Sequence, residues 1–150
     1  MEISCSVEIR AIGTRRGVAF LTHASKTVNV TTAFEELGEN TRRTFNTRFD
    51  HYSTGFDNPK WYHGWNKSQY EGAYQDCFVF KAQDDRLYGF LCHPSLIDRR
   101  YLLCVLVLHA NKNDWATDIS ELKRAKAMVS DNQVADALKR LFQKETEQKK

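Results

Sequence analysis

Residues 76–93 read DCFVFKAQDDRLYGFLCH, and residues 101–110 read YLLCVLVLHA. Asp76–Lys81 and Arg86–His93 are short runs rich in aromatic and aliphatic residues, separated by Ala82-Gln83-Asp84-Asp85. That spacing predicts a β-hairpin with a four-residue loop. Tyr101–Ala110 is nearly all apolar, the mark of a central strand buried on both faces. The two connections are short, so the three runs are expected to be adjacent antiparallel strands of one sheet. Side chains alternate along a strand, and a loop of 82–85 sets Lys81 opposite Arg86. Val79, Lys81, Arg86, Tyr88 and Phe90 then share one face, while Phe78, Phe80, Leu87 and Leu91 share the other, which reads as core.

Downstream, Asp118 opens a helix, with Glu121 three residues later as a capping box requires and Ile119, Leu122, Ala125 and Val129 on its apolar side. A last helix is expected from about Gln133 to Lys144, with Val134, Leu138, Leu141 and Phe142 on one side. Upstream, residues 53–75 are rich in rings: Trp61-Tyr62-His63-Gly64-Trp65, Tyr70 and Tyr74. They read first as a plug over the core and alternatively as stacking surfaces. Thr31 to Tyr52 reads as two helices broken at Gly38, the second capped by Asn40 and carrying Phe45, Phe49 and Tyr52 at i, i+4 and i+7. Arg42, Arg43 and Arg48 fall largely off that stripe, either as a solvated face or as a phosphate-facing one. Residues 3–12 alternate as a half-buried strand does, 13–17 reads as a turn, and Val18 to Leu21 as a return strand.

The chain of 150 residues has no internal repeat or low-complexity linker, so it is read as one domain spanning 1–150. With 41% hydrophobic and 27% charged residues the composition is that of a globular protein. The longest apolar run, Leu102 to Leu108, is too short for a bilayer, and no basic-then-apolar leader is visible at the start, so the expected location is the cytoplasm, away from membranes. Cys5, Cys77, Cys92 and Cys104 form no CxxC pair and are expected to be free thiols. Cys92 and His93 with Cys104 and His109 match no standard zinc spacing, so neither metal nor cofactor is expected. The net charge of +3 permits an anionic partner without requiring one.

The chemistry concentrates at the hairpin. Two cations opposite each other repel, and an anionic ligand relieves the repulsion. The plainer alternative is that Asp84 and Asp85 neutralise the pair. His109 ends the central strand, with Lys112 and Asn113 close behind. Its plainer reading is a structural residue at a strand end. If that strand end lies beside the hairpin, an imidazole, an ammonium, a guanidinium and a phenol surround one pocket. Metal-independent RNA cleavage needs that inventory: a base for the ribose 2′-OH, cations for the charge building on phosphate, and an acid for the leaving 5′ oxygen.

With these residues in hand, the run from about Tyr70 to Met128 resembles the RelE/HigB family of toxin ribonucleases from bacterial toxin–antitoxin pairs. The matching pieces are CFVFKAQDDRLYGFLCH, YLLCVLVLHA, NKNDWATD and ISELKRAKAM. The helices at 31–52 resemble the helical hairpin that precedes the sheet in that family. The resemblance implies an α+β fold: a mostly antiparallel sheet, an N-terminal helical hairpin, C-terminal helices, helices on one side, and a concave basic surface. It implies an endoribonuclease that cuts mRNA, on the ribosome or free, and is neutralised by a cognate antitoxin. Carried over by position, Lys81, Arg86, His109 and Lys112 are the candidate catalytic residues, joined by Tyr88. Arg42, Arg43, Arg48 and Asn113 are candidate RNA contacts. The chain has Lys112-Asn113 where the family commonly has two lysines, Asp118 where it has a proline, and some 30 initial residues that the resemblance does not cover. The competing functions are a non-catalytic module that binds RNA or protein, and a gyrase-directed relative.

Overall fold

The alternating segment near the start becomes β1 (Cys5–Ile12), which pairs antiparallel with β2 (Arg16–His23). The helical pattern after it becomes α1 (Val30–Glu35) and α2 (Glu39–Ser53). Then follow the short β3 (Tyr62–Gly64), β4 (Cys77–Ala82), β5 (Asp85–Cys92), β6 (Leu102–Asn111), α3 (Ile119–Val129) and α4 (Asn132–Gln148). This is a computed structural model, and it describes residues 5–23, 29–93, 101–111 and 119–148. Lys112, Asn113 and Asp118, all singled out above, lie outside the described residues.

The six strands form one sheet in the order β1-β2-β6-β5-β4-β3. β4, β5 and β6 are adjacent and antiparallel, as their short connections predict. β6 is interior, and its other neighbour is β2, which runs parallel to it. The expected fold therefore needs correction. No helical hairpin opens this α+β fold; two strands do, and the second inserts the sheet's parallel pairing beside the most apolar strand. β2 is buried along most of its length, and a strand so apolar is stable only inside the sheet.

Helices cover both faces rather than one. Phe34, Phe45, Phe49 and Tyr52 of α1 and α2 pack with Phe20, Phe80, Leu87 and Leu106. Leu122, Ala125 and Met128 of α3, with Val134 and Ala137 of α4, pack with Val79, Tyr88, Phe90, Leu103 and Val105 on the opposite face. The first layer is dense in rings: Phe49 meets Phe80 edge-on at 5.0 Å and Phe20 at 5.8 Å. Edge-to-face pairs of this kind contribute about 1 kcal/mol each beyond their burial. α2 begins two residues earlier than its sequence suggests, with Gly38 in the capping position and Asn40 inside the first turn. At the start of α4, the Asp131 carboxylate accepts the amides of Gln133 and Val134 and also the Nε2–H of buried His23, which ties the helix to the end of β2. Among the described residues no helix is long and apolar enough to cross a membrane.

Two local features set the geometry of the hairpin end. Ala82 pairs with Asp85, so the loop is the two residues Gln83-Asp84 rather than four, with Gln83 at φ 55°. The Lys81–Arg86 pairing survives because the loop shortens symmetrically. On the other side of β5 the register with β6 steps from Tyr88↔Leu108 to Gly89↔Leu106, leaving Val107 as the extra residue of a β-bulge. Gly89 makes this possible: a Cβ there would stand 1.9 Å from the Val105 carbonyl oxygen. Gly89→Ala should cost about 3 kcal/mol, because the obstacle is backbone and no rotamer relieves it. Urea unfolding should show a lower midpoint at unchanged slope.

Candidate functional site

The loop end of β4–β5 collects positive charge. Lys81 and Arg86 stand directly opposite each other, both half-buried. The Arg86 guanidinium donates through Nη1 to the carbonyls of Gln83 (2.7 Å) and Asp85 (3.0 Å). The Lys81 ammonium has no hydrogen bond or ion pair among the described residues. Arg48 reaches in from α2: its Nη1 donates to the Lys81 carbonyl, and its guanidinium carbon lies 5.1 Å from the centre of the Trp61 ring. Burial, and then Arg86, push the Lys81 ammonium below the ordinary lysine range. The same two causes, in the same order, lower Arg48.

The expected neutralisation does not occur. Asp85 points its carboxylate away from the pair, accepting from His109 Nε2 at 2.7 Å and from Asn111 Nδ2 at 3.2 Å. Asp84 is exposed. Among the described residues none of the ion pairs involves Lys81, Arg86 or Arg48.

His109 is therefore not part of the cationic group. It pairs with Leu87, whose side chain lies on the α2 face, whereas Lys81, Arg86 and Tyr88 lie on the α3 face. The bulge at Val107 is the cause. In an unbroken β6 His109 shares the face of Val105, and the extra residue reverses that parity. Tyr88 is on the expected face but only 2% exposed, stacked on Trp65 at 6.4 Å, so it floors the site and is not presented to a ligand. Arg42 donates to the Glu35 carbonyl and Arg43 pairs with Glu39 one turn back, the solvated face that their positions allow. Of the three helix arginines only Arg48 reaches the hairpin end, from the α2 side and through the Lys81 backbone, near enough to Arg86 for the two charges to interact. Lys112 and Asn113 fall outside the described residues.

The imidazole that does share the face is His63. It sits on edge strand β3 opposite Val79, next along the sheet from the Lys81–Arg86 pair. Its Nδ1–H donates to the Gly64 carbonyl at 2.9 Å, which fixes the tautomer and leaves the Nε2 lone pair as the acceptor. Burial lowers its pKa; the Gly64 bond opposes this, and Lys81 and Arg86 add to the lowering. The ring is therefore neutral at pH 7 and stands edge-on to Trp65 at 5.0 Å. Nothing in the sequence distinguishes it: three strand residues inside a loop rich in rings carry no periodic signal. The rings there are partly the expected plug, with Tyr62, Trp65 and Tyr74 buried, while Tyr70 is exposed.

The four cysteines are free, and burial pushes the thiols of Cys77 and Cys92 up to about 11 and about 12, far from reactive. Among the described residues no three His, Cys, Asp or Glu side chains are grouped to hold a metal ion. On the α3 face Lys81 and Arg86 can bind an anion with the neutral base of His63 beside it, and Arg48 adds positive charge at the same strand end from the α2 side. No protein-family model, curated protein or solved structure matches the chain.

In a histidine proton-NMR titration, His63 should titrate below the ordinary imidazole value of about 6.5. Saturating phosphate should raise its midpoint, because a bound anion offsets the two neighbouring cations. An unchanged midpoint with phosphate in both the parent and Arg86→Ala would mean that no anion sits there.

Proposed function

We propose that this chain is an endoribonuclease that cuts RNA at the loop end of the β4–β5 hairpin through attack of the ribose 2′-OH. The observation that carries the reading is the Lys81–Arg86 pair, held directly opposite each other with no carboxylate paired to them, with Arg48 adding charge at the same strand end and the neutral imidazole of His63 beside them on their face. Clustered cations without acids are costly in the free protein, and a phosphodiester offsets that cost.

Each group has a role its chemistry suits. His63 Nε2 accepts the 2′-OH proton as the O2′–P bond forms. Arg86 keeps N–H groups beyond those spent on the loop carbonyls, and its planar fork suits two phosphate oxygens. Lys81, with its pKa lowered, is the better acid for it, and donates a proton to the 5′ oxygen as the P–O5′ bond breaks. The products are a 2′,3′-cyclic phosphate and a 5′-hydroxyl. The nucleophile belongs to the substrate, so the protein has to supply only proton transfer and charge stabilisation. The reading extends to a toxin that acts on mRNA, with or without the ribosome, and is held inactive by a cognate antitoxin. A non-catalytic RNA-binding module is the second reading. It is favoured by the turning of His109 to the other face, which leaves the site one imidazole.

His63→Gln and Arg86→Ala should each slow cleavage of a defined mRNA by roughly a hundredfold or more with the fold intact. His109→Gln should leave the rate within a few-fold. In the parent, the rate should fall as pH drops through the lowered His63 pKa, since protonation removes the base. If the parent binds RNA without cutting it, with or without ribosomes, the binding module takes the place of the nuclease. Full activity in folded His63→Gln would remove His63 from the mechanism.

A further inference from the structure

We infer that the substrate of this site is single-stranded, and that a base flanking the bound phosphate stacks on an exposed aromatic shelf formed by Phe56, His51 and Trp61. The inference rests on the phosphate-binding part of the reading above and not on cleavage.

The shelf lies on the α2 side and meets the Lys81–Arg86 pair at the sheet edge, where Arg48 and the Lys81 backbone link the two. The Lys81 amide donates to the Trp61 carbonyl at 2.8 Å, so Trp61 lies across the sheet edge from Lys81. Arg48 stands over the Trp61 ring and bonds the Lys81 carbonyl, so one guanidinium belongs to both groups. His51 meets Trp61 edge-on at 5.0 Å, and Phe56 lies 5.7 Å from His51 at an interplanar angle of 33°. Phe56 is 64% exposed, among the most exposed large apolar side chains of the described residues.

An exposed ring on a loose loop is ordinary; this one is held. The Phe56 carbonyl accepts from the Tyr62 hydroxyl and from Arg16 Nη2 at 2.6 Å. Arg16 also bonds the Tyr52 carbonyl and the Asp57 carboxylate. The Tyr62 proton is spent on Phe56, so His51 Nδ1–H donates to the Tyr62 oxygen at 2.7 Å, which fixes the His51 ring as well. Two donors to the Phe56 carbonyl and the Arg16–Asp57 ion pair thus fix the backbone beneath an exposed ring. Such a ring loses little freedom when a base settles on it. Lys60, exposed between Phe56 and Trp61 in sequence, and Asp57, paired with Arg16, leave this segment without net negative charge. Rings beside uncompensated cations are the two elements of single-strand binding: charge follows the backbone, and any base finds a flat partner. A duplex keeps its bases stacked on each other and cannot use the shelf.

The test is fluorescence anisotropy with 2′-O-methyl decauridylate, which lacks the nucleophilic hydroxyl and so reports binding alone. Phe56→Ala should weaken binding about tenfold, Phe56→Trp should restore it, and the salt slope should stay that of the parent. Lys81→Ala should weaken binding and lower the slope by about 0.7, the contribution of one phosphate contact on a single strand. A ten-base-pair RNA duplex should bind more weakly than the single strand. Equal affinity of Phe56→Ala and parent, a duplex bound as tightly as the single strand, or a lower salt slope in Phe56→Ala would each overturn the shelf. The two readings fail separately. Phe56-dependent binding by a parent that never cuts all-ribose RNA sinks the nuclease and keeps the shelf. Cleavage by a chain whose Phe56→Ala variant binds unchanged sinks the shelf and keeps the nuclease.

Discussion

β6 is the strand against which the rest of the molecule is ordered. It lies between β2, which runs with it, and β5, which runs against it, and Leu103 to Leu106 are fully buried from both sides. Its apolar side chains are the meeting point of the two cores, with Cys104 and Leu106 facing α1 and α2 and Leu103 and Val105 facing α3 and α4. A strand so placed tolerates no slip, because a one-residue shift would exchange the two cores. The bulge at Val107 is such a shift made once, at a defined point, and Gly89 provides the close backbone approach it needs. Every side chain of β6 beyond Val107 is displayed on the face opposite to the one an unbroken strand would give it.

That single change of parity divides the polar groups at the loop end. The alternation of β5 already puts Asp85 on the α2 face, and the bulge brings His109 and Asn111 to that face, where both bond its carboxylate. Lys81 and Arg86 are left without it. Asp85 faces away from the pair through β5 alternation, and His109 and Asn111 fix it there. Arg48 adds a third cation whose guanidinium also caps a β4 carbonyl and covers Trp61. The local field then lowers the pKa of His63, which burial has already depressed. A basic rim and a neutral base are thus products of the same arrangement and not independent features.

The aromatic residues serve two purposes, separated by depth. Phe20, Phe34, Phe45, Phe49 and Phe80 fill the core beneath α1 and α2 with edge-on, tilted and stacked contacts. Tyr52 and Tyr62 continue that layer to the rim, where the Tyr62 hydroxyl changes from packing to anchoring the Phe56 backbone. The exposed ring is therefore supported by the buried ones, and the route from core to surface runs through hydroxyl and guanidinium contacts that need defined positions.

How much of this was legible in the sequence follows from the range of each signal. The β4–β5 pairing, with Lys81 opposite Arg86 and Tyr88 on their face, came from period-two alternation and a short loop, both local; it held although the loop is two residues and not four. The apolar run of β6 announced a central strand, and the stripe of Phe45, Phe49 and Tyr52 announced the buried side of α2, for the same reason. The N-terminal alternation marked two strands, but no local pattern says that the second runs parallel to β6, so the expectation of a helical hairpin opening the fold failed there. The sequence brings His109 to the hairpin end but does not give its face, because a bulge depends on the backbone of two strands meeting at Gly89 and leaves no pattern in either alone. His63 was passed over because its neighbours Lys81 and Arg86 are distant in the chain and adjacent only across strands. The sequence by itself determined which residues are apolar, where they alternate, and so which segments pair. Only the tertiary structure decided which charges meet, because that depends on register and burial, to which residues far apart in the chain contribute jointly.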